Sequence, residues 1–155
     1  EAMAHVAKAR PDAHFLLVGA GPHADRVRER ATSLGIVDRL RMPGTTKDVA
    51  VPLSLMDVFV LTSFGEGTPN VLIEAGLLGV PIVATDAGGT RETFDHGRTG
   101  WLVEIPDATI IAERVLYVLG NPEWAKQAAI LAPEFVRERF GLERMIKETL
   151  AVYGH

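Results

Sequence analysis

The chain has 155 residues, enough for one domain with a buried core. It is 47% hydrophobic and 23% charged, has a net charge of −4 at pH 7 and contains no cysteine, which excludes disulfides and thiolate metal sites. No cluster of lysine and arginine indicates a nucleic-acid partner, no apolar stretch approaches the roughly 18 residues of a membrane span, and the five histidines have no metal-ligand spacing.

Short apolar runs alternate with amphipathic segments along the first two thirds of the chain. The first ten residues are typical of the second half of a helix. The elements predicted after them are a strand at 13–19, a helix at 22–34, a strand at 38–44, a short helix at 47–55, a strand at 57–63, a helix at 69–78, a strand at 80–85, a glycine-rich turn at 87–89 and a strand at 99–104.

The last third of the chain is predicted to be helical. One helix covers 107–119, and Asn121 and Pro122 are predicted as the N-cap and first residue of the next. Pro133 is expected to interrupt that helix or to separate two. The apolar face of a final helix includes Met145, Ile146, Leu150 and Tyr153.

Strands that alternate with helices predict an α/β fold, with a Rossmann-like parallel sheet and helices on both faces. Ligands of such folds bind at the carboxyl ends of the strands. Four loops are predicted at these ends, at 19–22, 43–47, 63–69 and 85–91.

One stretch, FGEGTPNVLIEAGLLGVP at 64–81, carries two glutamates in an otherwise apolar run. With Thr68 as N-cap and Pro69 as first helical residue, Glu74 lies in the second turn and leans toward the N-terminus, and Glu66 lies just outside it. Backbone N–H groups at a helix N-terminus bind phosphate, and a carboxylate about 7–8 Å further along suits the hydroxyls of a ribose.

The spacing therefore predicts a nucleoside diphosphate, with its phosphates at 67–71 and its ribose on Glu74. The alternative is that Glu74 pairs with an arginine at the edge of the core and that Glu66 is a solvated loop residue. Spacing alone leaves both interpretations open, although a buried carboxylate needs a partner in either.

The glutamate pair, set in SFGEGTPNVLIEAGLLGVPIVATDAGGTRE, closely resembles the C-terminal, nucleotide-sugar-binding domain of GT-B glycosyltransferases of family 4, the glycosyl transferases group 1. PDAHFLLVGAGP, LGIVDRLRMPG, DVFVLTS and HGRTGWLV resemble further strands and turns of that domain. NPEWAKQA and FVRERFGLERM resemble its closing helices, so the resemblance covers essentially the whole chain in the family's order.

The resemblance implies roles for individual residues. Glu74 would hold the ribose of the donor, and Glu66 would lie near the donor sugar and be required for transfer. The other implied donor-binding residues are Gly67, Thr68, Asn70 and Val71 near the diphosphate, Pro43, Gly44 and Thr45 against the base, and Gly19 and Gly21 in a turn that approaches the ligand. It further implies a UDP-, GDP- or ADP-sugar donor, transfer with retention of anomeric configuration, and no metal or cofactor.

The family's domain normally begins with a strand and a loop whose Arg and Lys grip the diphosphate, and this chain begins after both. We therefore expect residues 1–155 to be a donor-binding domain without its first strand and without the N-terminal acceptor-binding domain, and inactive alone. The edges of strands 13–18 and 57–62 would be unpaired, and would close on each other or pair with another chain. The last helix would be a second surface for self-association. The family also implies a cytoplasmic location, at the inner face of the membrane if the product is a lipid or envelope glycan.

Two other functions are considered. One is a nucleotide-binding or structural Rossmann-like module without catalysis, and the other is a GT-B nucleotide-sugar epimerase, which the glutamate pair fits less well. The turn from Gly19 to Ala24 matches a dinucleotide-binding G-x-G-x-x-[GA] pattern, but the next predicted strand ends without an acidic residue. A tight turn is therefore favoured over a nicotinamide or flavin site.

Overall fold

The computed structural model describes residues 1–154. The last residue of the predicted domain, His155, which is also one of the five histidines, lies outside the described residues. The predicted α/β fold is confirmed, because parallel strands alternate with helices along the chain. The strands in the described residues are β1 (Phe15–Val18), β2 (Leu40–Gly44), β3 (Phe59–Leu61), β4 (Ile82–Thr85) and β5 (Gly100–Val103).

The helices that surround these strands agree with the predictions to within a few residues. They are α1 (Ala2–Ala9), α2 (Ala24–Ser33), α3 (Ala50–Ser54), α4 (Asn70–Leu77), α5 (Ala108–Gly120), α6 (Pro122–Phe140) and α7 (Leu142–Val152). Two short 3-10 helices, Val37–Arg39 and Gly88–Glu92, precede β2 and follow β4. The second of these occupies part of the segment that was predicted as a glycine-rich turn.

The centre of the fold is β4, which lies between β3 and β5 in a three-stranded parallel sheet. All four of its residues are buried, as expected for a strand covered on both faces. Val83 faces a cluster that contains residues of α1 and α5, whereas Ile82 and Ala84 face a cluster that contains residues of α3 and α4. Successive side chains thus point to opposite faces, and both faces carry helices.

The strands form two separate parallel sheets, one of two strands and one of three. In the described residues β1 is hydrogen-bonded to β2 alone, and β3 is paired with β4 alone. The predicted unpaired edges are therefore present, and the alternative in which they close on each other is wrong. Phe15 at the start of β1 and Val58 before β3 still pack against the same apolar cluster, so the core spans the two sheets.

Residues Pro122–Phe140 form one continuous helix, α6, so the predicted interruption at Pro133 is wrong. The proline removes one hydrogen bond, the one that its own N–H would have donated to the Ala129 carbonyl. Packing of α6 on α4 holds the helix together across this gap. At the contact, a Cβ added to Gly76 would lie 2.7 Å from the Val136 side chain.

Asn121 occupies the predicted N-cap position of α6, but its side chain does not cap that helix. Its amide instead donates to the carbonyl of Tyr117 at a distance of 2.7 Å, which satisfies a free carbonyl at the end of α5.

The final helix, α7, has no buried residue. Its predicted apolar face is exposed, with 47–73% of the surface accessible for Met145, Ile146, Leu150 and Tyr153. Among the helices of residues 1–154, none combines the length and the apolar character that a membrane crossing requires.

Candidate functional site

The candidate site lies at the start of α4, where the chain leaves β3. Pro69 is the N-cap of this helix and Asn70 its first residue, so the predicted start is one residue too early. No side chain caps the helix, and Thr68 is exposed. The Thr-Pro pair allowed this error because the fixed φ of proline suits both the N-cap and the first helical position.

The first two amides of α4 are free. The Pro69 carbonyl accepts from the Leu72 N–H at 3.0 Å, but the N–H groups of Asn70 and Val71 have no acceptor within residues 1–154. These are two of the orphan donors at a helix N-terminus, where the positive end of the helix dipole also lies. The predicted pair of phosphate-binding amides is thus available to a ligand.

Glu74 lies in the second turn of α4 and is partly buried. Its side chain makes no ion pair and no hydrogen bond in the described part of the chain, so the alternative in which it pairs with an arginine is wrong. Its side chain lines a cavity of about 360 Å³. The other lining residues are Lys47, Asp48, Val49, Ala50, Leu77 and Leu78.

Glu66 lies in the loop between β3 and α4 and is also partly buried. Its Oε1 accepts a hydrogen bond from the Ser63 hydroxyl at 2.5 Å. The carbonyl of Ser63 in turn accepts from Thr85 Oγ1 at 2.6 Å, and Thr85 is the buried last residue of β4. Glu66 is therefore connected to the sheet and is not the solvated loop residue of the alternative interpretation.

The glycine loop after β4 lies directly against the backbone beside Glu66. The Gly89 N–H donates to the Glu66 carbonyl at 3.3 Å. A Cβ at Gly88 would lie 2.0 Å from that same carbonyl oxygen, and a Cβ at Gly89 would lie 1.9 Å from the Gly67 oxygen. Only residues without a side chain allow this approach.

An ion pair connects the residues on either side of this loop. The guanidinium of Arg91 donates to both carboxylate oxygens of Asp86. This bonding holds the pKa of Asp86 below its ordinary value and raises the pKa of Arg91. Asp86 is thus kept ionised, and Arg91 is engaged with it.

The predicted base-binding and glycine-turn residues lie on the two-stranded sheet. Gly19 follows β1 with φ 130°, and its N–H donates to the Gly44 carbonyl at 2.8 Å. Pro43 and Gly44 end β2, and Thr45 follows as an exposed residue. None of the three lines the cavity beside Glu74, which is instead bounded on this side by 47–50. Gly21 is exposed, and its carbonyl accepts from Ala24.

Sequence reasoning placed Lys47 and Ser63 in candidate loops, at 43–47 and 63–69, but assigned neither residue a role and missed Asp48. Lys47 and Asp48 line the cavity from a loop more than twenty residues before Glu74, a contact that no local pattern indicates. Ser63 is the first residue of the predicted loop at 63–69. A usable signal existed, because a serine three residues before a glutamate in a turn can reach its carboxylate.

A larger cavity, of about 460 Å³, lies between β5 and α5 and includes Arg91, Glu104 and Arg114. Neither glutamate of the pair lines it, and Arg114 lies over the ring of Trp101 at 4.8 Å. Within residues 1–154, no three His, Asp or Glu side chains are grouped so as to hold a metal ion.

The arrangement at the start of α4 can bind an anion and a diol side by side. The free amides and the helix dipole favour negative charge, and the carboxylate of Glu74, which has no partner among the described residues, can accept hydrogen bonds from hydroxyls. Glu66 precedes these amides in the chain, and its carboxylate accepts a hydrogen bond from Ser63.

Several known proteins resemble this chain in sequence and in fold. Residues 1–121 match the family described as glycosyl transferases group 1. The Vi polysaccharide biosynthesis protein VipC/TviE of Salmonella typhi is 37% identical over 144 residues, which cover 88% of this chain and 24% of that protein. The N-acetyl-alpha-D-glucosaminyl L-malate synthase of Bacillus anthracis is 34% identical over 142 residues, which cover 92% of this chain and 37% of that protein.

Solved structures agree with these matches. Anabaena Alr3699/HepE in complex with UDP superposes with a TM-score of 0.85 at 26% identity, over 96% of this chain and 43% of that one. A glycosyltransferase from Rickettsia africae ESF-5 has the same fold, with a TM-score of 0.87 at 24% identity, over 98% of this chain and 42% of that one. The chain thus spans less than half the length of each of these relatives. Its sequence and its α/β architecture place it, as a member, in the glycosyl transferases group 1 family of GT-B glycosyltransferases.

Proposed function

We propose that this chain is the donor-binding domain of a glycosyltransferase that transfers a sugar from a nucleoside-diphosphate sugar to an acceptor. The observation that carries the proposal is the position of Glu74. Among residues 1–154 this carboxylate has no partner, and it lines a cavity of about 360 Å³ one turn beyond the two free amides of α4.

The donor would lie along the start of α4. Its diphosphate would accept hydrogen bonds from the Asn70 and Val71 amides, where the helix dipole offsets part of the negative charge. Its ribose hydroxyls would donate to Glu74, and its base would enter the cavity beside 47–50. With the donor in this orientation along the helix, the sugar on its distal phosphate would lie near Glu66.

In this proposal Glu66 is the catalytic residue, and transfer retains the anomeric configuration without a resident metal. Preorganised amides and the helix terminus would meet the charge of the diphosphate leaving group. The resemblance of the glutamate pair to the family supports both points. They are tested by the anomeric configuration of the product and by transfer in the presence of a chelator.

The proposal also places the acceptor-binding region outside these 155 residues. It is supported by the relatives described above, which are more than twice as long as the chain. Transfer by residues 1–155 alone would overturn this part of the proposal and would leave the donor site untouched.

Ligand-observed NMR with UDP, GDP, ADP and NAD tests the donor site, using the full-length protein that contains this chain. We expect one of the three diphosphates to bind selectively. Glu74→Ala removes the acceptor for the ribose hydroxyls, a loss of about 2 kcal/mol or a Kd increase of roughly 30-fold. Glu113→Ala, which removes an exposed glutamate of α5, is the matched control and should leave the Kd unchanged.

Two results would contradict the proposal. Preferential binding of NAD would indicate a dinucleotide site. Equal affinity in Glu74→Ala and in the wild type would mean that the ribose does not lie on Glu74.

A further inference from the structure

We propose that Ser63 is a positioning residue that fixes the side chain of Glu66. The end of β4 holds Ser63 in place, and the glycine loop after β4 holds the backbone of Glu66. This inference deepens the proposed function and rests on it, because it assumes that Glu66 acts on the donor sugar. The carboxylate of Glu66 is held in one orientation before the ligand binds.

Glu66 needs such support because it does not lie on a regular element. Glu74 is carried by α4, whose own hydrogen bonds fix the backbone. Glu66 lies between β3 and α4, and a glutamate side chain in a loop loses much rotamer freedom when it is ordered. A catalytic group performs best when its neighbours have already fixed its rotamer.

The side chain of Glu66 is fixed at one oxygen. Ser63 Oγ donates to Oε1 at 2.5 Å, a short bond typical of a hydroxyl and a carboxylate. The other oxygen has no protein partner within residues 1–154, so it is available to a ligand. The bond thus divides the carboxylate into a held oxygen and a free one.

Ser63 is itself held from the core. Its carbonyl accepts from Thr85 Oγ1 at 2.6 Å, and only 3% of the surface of Thr85 is exposed. Thr85 ends β4, the most buried strand, and pairs in register with Val103 of β5. A continuous series of hydrogen bonds therefore runs from the buried sheet to the carboxylate of Glu66.

The backbone of Glu66 is restrained separately, by the glycine loop after β4. Gly89 donates to its carbonyl, and Gly88 approaches the same oxygen so closely that a Cβ there would lie 2.0 Å away. With the carboxylate fixed by Ser63 and the carbonyl fixed by the glycine loop, both ends of the residue are restrained.

The test compares Ser63→Ala with the wild type in the full-length protein, under steady-state conditions. We expect kcat to fall roughly 10- to 100-fold, since misplacing a catalytic group by about 1 Å has effects of this size. The KM for the nucleotide sugar and the Kd for the nucleotide should stay within about twofold, because Ser63 does not touch the proposed donor contacts at Asn70, Val71 and Glu74.

Two further variants separate positioning from a general loss of structure. Ser63→Thr keeps the hydroxyl and should restore most of kcat. Ser33→Ala removes a serine hydroxyl that donates to the Arg30 carbonyl in α2, at 2.8 Å, and should change neither kcat nor KM. If Ser63→Ala unfolds, Ser63→Cys carries the same expectation, because a thiol nearly keeps the volume but is a weak donor.

A double-mutant cycle then asks whether Ser63 acts through Glu66. In a Glu66→Asp background, whose shorter side chain does not reach the serine, Ser63→Ala should lower kcat by less than about twofold. The same large loss in both backgrounds would overturn the inference, as would an unchanged kcat in Ser63→Ala. If Glu66→Ala itself retains full activity, the role of Glu66 in the proposed function fails instead, so the two failures are distinct.

Discussion

A Cβ at Gly79 would lie 2.6 Å from the carbonyl oxygen of Ala129, so the turn after α4 packs against the backbone of α6. That oxygen is the one that Pro133 leaves without its helical donor. The proline therefore exposes a carbonyl on the side of α6 that faces the turn, and a glycine without a side chain lies against it. The carbonyl that the proline leaves without a donor and the glycine of the turn therefore meet at one contact.

Gly79→Ala is predicted to destabilise the protein through this contact. The residue has φ 70°, where a side chain costs about 1–2 kcal/mol, and a methyl group would also overlap a backbone atom that cannot move away. Overpacking of this kind adds about 1–3 kcal/mol. We expect the free energy of unfolding, measured by urea denaturation, to fall by about 2–5 kcal/mol.

Gly35→Ala is a matched control for that experiment. Gly35 has φ 69° and ends α2 with the same pattern of hydrogen bonds, in which the next residue donates to the carbonyl five residues back. Nothing lies within 4 Å of a Cβ at Gly35, so its substitution carries the backbone strain alone, about 1–2 kcal/mol. Equal losses in the two variants would show that the Ala129 contact adds nothing.

Acid stability is predicted to depend on Asp107, the N-cap of α5. Its carboxylate accepts from the N–H groups of Thr109 and Ile110, and these bonds lower its pKa below the ordinary 3.8. Because the folded-state pKa is the lower one, the stabilisation is complete above about pH 4–5 and is lost as pH falls through the folded value. Asp107→Asn keeps a capping side chain and removes the titration.

The measurement is the melting temperature of the wild type and of Asp107→Asn between pH 7 and pH 2.5. We expect the advantage of the wild type to shrink below about pH 4. Asp107→Ala should lower the Tm at pH 7 by roughly 2–5 °C, the size of a lost cap in a chain of this length. Asp38→Asn, at an exposed position outside the longer helices, controls for the change in net charge. A constant difference across the pH range would contradict the assignment.

The sequence predicted those parts of the fold that local chemistry determines. The apolar run at 80–85 lies between two glycine turns and became β4, because a short continuous apolar segment has few alternatives to a buried strand. The position of Glu74 in the second turn of α4 was predicted correctly, since it depends only on helix geometry.

The remaining features depend on contacts between distant segments. Pro133 was predicted to break its helix because the rule for proline is local, whereas the packing of α6 on α4 is not. Lys47, which lines the same cavity as Glu74, comes from a loop after a different strand. Likewise, no pattern near Glu66 indicates that a glycine of the next loop lies against its carbonyl.

That contact makes Gly88 the subject of the last prediction. Gly88→Ala would drive a Cβ toward the Glu66 carbonyl oxygen, and the loop that carries the proposed catalytic carboxylate would have to shift. We expect kcat of the full-length protein to fall roughly 10- to 100-fold, while the Kd for the nucleotide changes less because Glu74 is held by α4.

Gly97→Ala is the matched control: φ is 81° there and 58° at Gly88, but nothing lies within 4 Å of the methyl group added at Gly97. Both variants should lose about 1–2 kcal/mol of stability from backbone strain, and Gly88→Ala about 1–3 kcal/mol more from the overlap. Only Gly88→Ala should lose activity. Full activity in Gly88→Ala would mean that the position of Glu66 does not depend on the glycine loop.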